Sequence, residues 1–387
     1  MPQLPLQGVR VLELGQLIAG PFAAKTLGDF GADIIKVEAT GGGDALRKWR
    51  MLRDGTSVWW QVQSRNKRSI AIDLKTEAGQ DVVRRLAGEA DVVIENFKPG
   101  KLEEWGIGWD QLHQLNPGLI MLRISGYGQT GPYADMPGFG ILGEAMGGLR
   151  YLSGEPGRVA VRVGVSIGDT LAALHGVIGV LMALRHREIN GGEGQFVDVA
   201  LYESVFNCME SLLPEFDAFG TVRERAGSAL PGIAPSNAYP CKGDQYVLIG
   251  GNGDSIYRRL MVAINRQDLG DDPGLAHNDG RAKRAAEIDR AIGEWTSMRD
   301  PAEVIDVLEQ ARVPVGKIYS VADIANDPQY LAREMIIETR ERDGQSLRVP
   351  GIVPKLSETP GKLRHPAPAL GEHNEEVLTA DGWPERD

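Results

Sequence analysis

The chain has 387 residues, of which 42% are hydrophobic and 25% charged, with a formal net charge of −11. That length allows two domains or one large interrupted domain. The acidic balance argues against nucleic-acid partners, which need a basic face, while local basic clusters can still hold a small anion.

Two cysteines, Cys208 and Cys241, form neither a disulfide framework nor a metal quartet, and the six histidines show no ligand spacing, so no metal is expected. Cysteine usage this sparse suits a reducing compartment. The first residues lack a basic stretch followed by an apolar one, so no secretory signal is expected and the chain reads as cytoplasmic.

In chain order, apolar β runs fall at 9–14, 34–37, 69–74, 91–95 and 119–124, with helical stretches at 22–30, 77–88 and 109–115. Continuous apolar strands separated by helices predict an α/β fold with a doubly wound, Rossmann-like parallel sheet. The apolar run 171–184 predicts a buried helix, too short to span a bilayer, so no membrane partner is expected. Residues 205–227 read as a helical connector. A hairpin over 238–249 turns at Lys242-Gly243-Asp244, and helical and strand signals follow to 324. The expected organisation is a large domain over 1–204, a connector over 205–227, a smaller α+β domain over 228–330, and a return segment over 331–387 that completes the large domain.

Ligands of doubly wound sheets sit beyond the carboxyl ends of the strands. That directs attention to 15–20, 38–44, Lys75, 96–100 and 125–131. The first of these, Gly15-Gln16-Leu17-Ile18-Ala19-Gly20-Pro21, is neither G-x-G-x-x-G nor a P-loop, which disfavours a nicotinamide dehydrogenase or an ATPase. Its helix start can still hold a phosphate or carbonyl, or be a plain turn. Two basic clusters, Arg47-Lys48-Trp49-Arg50 with Arg53, and Arg65-Asn66-Lys67-Arg68 with Lys75, suit either a phosphorylated nucleotide or a solvated face. Asn96 can hydrogen-bond a base edge or an amide, and Phe97 can pack on a ring. The glycine-rich stretches 125–132 and 250–254 read as surface loops or as covers over a site. Gly-x-Ser-x-Gly and His-Glu-x-x-His are absent. Asp169, among small residues just before an apolar run, reads either as a helix cap or as a reactive carboxylate.

Several motifs occur together and in order: Leu17-Ile18-Ala19-Gly20-Pro21, Gly31-Ala32-Asp33-Ile34-Ile35-Lys36-Val37-Glu38, Asn66-Lys67-Arg68-Ser69-Ile70, Glu95-Asn96-Phe97-Lys98-Pro99-Gly100, Gly126-Tyr127-Gly128-Gln129-Thr130-Gly131-Pro132, Asp169 and Leu370-Gly371-Glu372-His373. In this the chain resembles, over nearly its whole length, the class III coenzyme A transferases, the formyl-CoA transferase/carnitine CoA-transferase (CaiB/BaiF) family. The resemblance implies an interlocked homodimer and Asp169 as nucleophile. It implies CoA contacts from Gln16, Leu17, Ile18 and Ala19, from Ile72, Asp73, Leu74 and Lys75, from Asn96, Phe97 and Lys98, and from Pro137, Gly138, Phe139 and Gly140. Two positions depart from arginines found in some members, Ala39 and Glu104. Glu104 keeps the place of a contact, and Arg47, Arg65, Lys67 or Lys75 are the candidates to replace the lost charge.

The implied activity is transfer of CoA between small carboxylic acids through aspartyl anhydride and aspartyl-CoA thioester intermediates. Acyl-CoA is then a substrate, no cofactor is permanently bound, and the partners are acyl-CoA, a small acid and a second copy of the chain. Residues 126–132 look most like the succinyl-CoA:dicarboxylate branch, of glutarate or hydroxymethylglutarate type. Related α-methylacyl-CoA racemases pair their aspartate with a histidine in a Gly-His-Asp context, where this chain has Gly138-Phe139-Gly140. Racemase activity and a non-catalytic CoA-binding role remain the alternatives.

Overall fold

The computed structural model describes residues 4–341, 344–379 and 382–383. The chain divides into two compact units: Met1–Arg150, Arg162–Thr221 and Gln329–Asp387 form one, and Tyr151–Val161 with Val222–Pro328 form the other. The excursion of Tyr151–Val161 carried no sequence signal. The segment expected as a connector is helical only over Val205–Phe206, the end of helix Leu201–Phe206, and over helix Leu212–Phe219, and it lies in the first unit as far as Thr221.

The first unit is built on β1 (Arg10–Glu13), α1 (Ala19–Asp29), β2 (Asp33–Glu38), β3 (Lys67–Ala71), α2 (Glu77–Glu89), β4 (Val92–Glu95), α3 (Trp109–Leu115), β5 (Ile120–Ser125), α4 (Gly140–Met146), α5 (Ile167–Ile189) and β6 (Phe196–Ala200). All six strands run parallel, in the order β3-β2-β1-β4-β5-β6. Successive side chains of a strand point to opposite faces. Val11, Ile34, Ile94, Leu122 and Ile124 therefore meet α1 and α5 on one side, while Leu12, Ile35, Val93 and Met121 meet α2 and α3 on the other. Burial on both faces is why these strands read as unbroken apolar runs. β6 was not expected; it is a short edge strand whose Val197-Asp198-Val199 alternation follows a glycine-rich stretch.

α1 begins three residues before the expected start, because its Pro21 falls in the first turn, where no N–H is needed. α5 is longer than the 171–184 run. By length and composition alone it could cross a membrane, but Ala172, Ala173, Gly176, Val180 and Ala183 form a buried face against the sheet. A Cβ on Gly176 would lie 2.8 Å from Leu122, so this glycine lets the helix sit close on β5.

Beneath the carboxyl ends of β1, β2 and β3 lies a buried ionic cluster. Lys36 Nζ contacts Glu13 at 2.8 Å and Asp44 at 2.9 Å, and Lys67 Nζ contacts Glu13 at 2.7 Å. Arg47 makes a two-pronged pair with Glu38, with both contacts 2.7 Å; a separate buried pair at the amino ends of β2 and β3 joins Arg65 to Asp29, the last residue of α1, at 2.9 and 2.6 Å. Arg47, Arg65 and Lys67 are thus buried inside the fold. They do not supply the replacement charge expected of them. Removing one member of such a cluster strands the others without a counter-charge. Glu13→Ala leaves two fully buried ammonium groups with less carboxylate between them, and is expected to cost about 3–5 kcal/mol of stability in urea unfolding. A loss within error of zero would show that the cluster is hydrated.

The tail returns to the first unit. His373 N–H donates to Ser69 O at 2.9 Å, Ala71 N–H donates to Asn374 Oδ1 at 2.8 Å, and Gly371 N–H donates to Ser69 Oγ at 3.1 Å. The Leu370-Gly371-Glu372-His373 motif therefore fastens the tail to the exposed edge of β3.

The second unit is α+β. Strands β7 (Ser236–Cys241), β8 (Gln245–Gly250) and β9 (Val315–Lys317) form an antiparallel sheet in the order β9-β8-β7, with the expected turn at 242–244. Helices α6 (Asp254–Ala263), α7 (Ala285–Thr296) and α8 (Pro301–Gln310) bury Leu260, Ile288, Ile292, Val304 and Leu308 against Val247 and Ile249 of the sheet.

Candidate active site

The order of the sheet reverses between β1 and β4, and the crevice above that point is where such folds bind ligands. The β1–α1 turn forms one wall. Leu17 there has φ 63°, and its N–H donates to both carboxylate oxygens of Asp44 at 3.1 Å. Asn96, just past β4, accepts from Gln16 N–H at 2.7 Å and donates to Gln16 O at 2.9 Å. Its amide thus clamps the turn to the strand end, a role the sequence reading did not assign.

A cavity of about 730 Å³ opens at this crevice, within the usual range for small-molecule sites. Gln16, Leu17, Ile18 and Ala19 line it, as do Asn96, Phe97 and Lys98. Pro137, Gly138, Phe139 and Gly140 form a further wall, and Asp169 faces the same space. Twelve expected site residues are thus brought together. Ile72, Asp73, Leu74 and Lys75 follow β3 at the same edge of the sheet but are not among the lining residues; Asp73 accepts from Lys75 N–H at 3.0 Å. Glu104 also lies outside the walls and pairs with Lys101 at 2.6 Å. The loop at 250–253 belongs to the second unit.

The cavity has further lining that sequence reading missed: Trp59, Arg162 and Ser166, with Trp49 and Arg50, which were noted only within a basic cluster; Ser125, from the strand-end loop singled out in the sequence, lines it too. Arg50 stacks 4.7 Å from the Trp59 ring centroid. Close backbone contact shapes the opposite wall. A Cβ on Gly126 would lie 2.6 Å from Gly138 Cα, so neither position tolerates a side chain. The loop after β5 is also tied down, with Gly128 N–H donating to Ser125 Oγ at 2.9 Å and Gln129 N–H donating to Asp198 at 2.9 Å.

Asp169 is not a helix cap. Ser166 holds the N-cap position of α5, and Asp169 lies inside the first turn. Its carboxylate packs on the backbone of α4, where a Cβ built on Gly140 would sit 2.1 Å from Asp169 Oδ2. Burial, reinforced by the negative charge of Glu144, pushes the Asp169 carboxyl up to about 6, against the opposing pull of Arg162 and of its own backbone N–H. Glu144 is itself buried on α4 and is held by Arg150 at 3.1 Å and Arg162 at 3.5 Å. A partly desolvated carboxylate that still ionises near neutral pH is a stronger nucleophile than one in water. Among the described residues, no group of three or more His, Cys, Asp or Glu is arranged to hold a metal.

The fold and site together define a doubly wound α/β protein with a largely buried carboxylate, Asp169, facing a cavity at its switch point. Comparison with known proteins narrows this. The sequence profile of CoA-transferase family III matches residues 6–374, and the chain belongs to that family. It is accordingly an enzyme that transfers CoA. The succinyl-CoA–D-citramalate CoA-transferase of Chloroflexus aurantiacus is 47% identical, over 98% of this chain and 94% of that protein. The beta subunit of the succinyl-CoA–L-malate CoA-transferase of the same organism is 42% identical, over 97% of this chain and 93% of its own length. The crystal structure of a CaiB/BaiF family protein from Brucella suis superposes with a TM-score of 0.84 at 35% identity, over 98% of this chain and 99% of that one.

Proposed function

We propose that this enzyme moves CoA from succinyl-CoA to a short dicarboxylic acid, with Asp169 as the covalent carrier. The observation that carries the reading is the Asp169 carboxylate, seated against Gly140 in the switch-point cavity. The names of the Chloroflexus relatives, which pair succinyl-CoA with citramalate and malate, support the donor and the class of acceptor.

The steps are those that the family resemblance implies for an aspartate carrier. An Asp169 oxygen attacks the thioester carbonyl, the C–S bond breaks, and CoA leaves as thiolate from a mixed anhydride. The thiolate attacks the aspartyl carbonyl, releasing the donor acid and leaving an aspartyl-CoA thioester. The acceptor carboxylate attacks that thioester and displaces the thiolate, which then attacks the acceptor acyl carbon of the second anhydride and frees Asp169. No net proton is taken up, so no general base is required. Gln16, Leu17, Ile18 and Ala19, with Asn96, Phe97 and Lys98, line the path of the pantetheine. Pro137, Gly138, Phe139 and Gly140 flank the acyl group. Ile72, Asp73, Leu74 and Lys75, further along the same edge, lie toward the adenine. CoA enters as a substrate, with no permanently bound cofactor.

The resemblance also supports an interlocked homodimer working in the cytoplasm. The outer face of α5 is consistent with an interface, since Leu174, Ile178, Leu181 and Met182 leave an apolar stripe exposed. Racemisation at the α-carbon of an acyl-CoA is not supported, because Phe139 and Gly140 occupy the places of the racemases' histidine and aspartate.

The test is exchange of CoA from succinyl-CoA into a panel of labelled acids across pH. Because the attacking carboxylate must be ionised in the free enzyme, kcat/KM for succinyl-CoA is expected to fall about tenfold per pH unit below a midpoint of about 6. Above that midpoint it should be flat. Absence of transfer to any dicarboxylate would end the substrate assignment, and a midpoint near 4 would place Asp169 in open water.

A further inference from the structure

Three cations line the cavity: Arg50, Lys98 and Arg162. Arg50 is stacked on Trp59, and Lys98 approaches Asp135 at 4.0 Å. Arg162 is the one whose charge acts on Asp169. Its side chain is 45% exposed, and its contact with Glu144 is long, at 3.5 Å. Glu144 gives its shorter contact, 3.1 Å, to Arg150. The Nε of Arg150 is buried without an acceptor, so the cluster holds more donors than Glu144 satisfies.

The charges of this group are informative. With Asp169 ionised, two carboxylates face two guanidinium groups and the cluster is neutral. Once Asp169 is esterified, as an anhydride or a thioester, one carboxylate charge is gone and the cluster carries a net positive charge. A cation exposed to the cavity and short of a counter-charge favours a second anion beside the reacting carbon. A monocarboxylic acyl group brings none. A dicarboxylic one brings its remote carboxylate at the moment the charge appears.

We propose that Arg162 is a specificity-determining residue that receives the remote carboxylate of a dicarboxylic acid while its other carboxyl group is bonded to Asp169. This rests on the proposed covalent role of Asp169. The interaction is stronger in the acylated states than in free enzyme, so it discriminates between acids in the chemical steps as well as in binding.

The test compares succinate with butyrate, the same carbon chain lacking one carboxylate, as acceptors from succinyl-CoA. In double-displacement kinetics kcat/KM for each acceptor reports only the second half-reaction, so the donor's own second carboxylate does not enter the ratio. Arg162→Gln is expected to lower the succinate-to-butyrate ratio of kcat/KM by about 30-fold, the effect of one charge-assisted pair. Arg162→Lys should restore most of it. If wild type shows no transfer to butyrate, a raised KM for succinate in Arg162→Gln with an unmoved pH midpoint supports the assignment. An unchanged ratio overturns it, as does an equal loss for both acids accompanied by a shifted pH midpoint, which would mean that Arg162 acts only by tuning Asp169. Wild-type enzyme that transfers CoA to neither acid overturns the underlying function and this inference with it, whereas normal wild-type transfer with an unaltered ratio overturns the inference alone.

Discussion

Asp169→Asn is expected to reduce CoA exchange by more than about 10⁴-fold, the scale seen when a covalent nucleophile is deleted. The amide is nearly the same size and shape, so the contact with Gly140 survives, but the carboxylate that forms the anhydride is gone. Stability should not fall. Burial disfavours the charged form of this group, so a neutral side chain removes a cost. The urea midpoint is therefore expected to equal or exceed that of the wild type. Wild-type enzyme incubated with succinyl-CoA and then hydroxylamine should carry a hydroxamate on Asp169 by mass spectrometry, and the variant should carry none. Exchange within tenfold of wild type in the variant would remove Asp169 from the reaction.

Gly140→Ala is the second large effect, and it involves a residue with no reactive group. The backbone at Gly140 is the first turn of α4, a conformation open to alanine. The obstacle is space: the new methyl carbon would lie 2.1 Å from Asp169 Oδ2 and 2.8 Å from Cγ. The carboxylate must rotate or shift by about an ångström, a displacement that can cost on the order of 10²-fold in kcat. Gly41→Ala provides the control, since an added Cβ there meets nothing within 4 Å. Circular dichroism and urea unfolding should show both variants folded. A Gly140→Ala enzyme with unaltered kcat would mean that the productive position of Asp169 differs from the one described.

The same contact shows what was legible in the sequence and what was not. Gly138-Phe139-Gly140 was singled out because of where it falls in the family pattern. Nothing local says that Gly140 touches a residue 29 positions downstream. Asn96 is similar. Its place at a strand end could be read from the chain, but its clamp on Gln16 depends on β1 and β4 being neighbours, and that adjacency is fixed by the order of the sheet. β6 was missed because Asp198 interrupts its short apolar run and its first three residues are exposed or half-buried, so it lacks the continuous apolar signal that marked the others.

The sequence by itself determined the parallel α/β architecture and the short list of loops at the strand ends, and it marked Asp169 as a candidate. Apolar periodicity and strand–helix alternation are local properties, and the backbone obeys them wherever the chain goes. The tertiary structure decided which charges face the cavity. Arg47, Arg65 and Lys67 looked like anion ligands because basic residues clustered along the chain, yet their partners Glu38, Asp29 and Glu13 come from other strands and helices, and together they are buried. Arg162, alone in a stretch of valines and glycines, faces the cavity near Asp169. A charge's role depends on which opposite charge the fold brings within a few ångströms and on how much water remains around the pair. Both are set by contacts far apart in the chain.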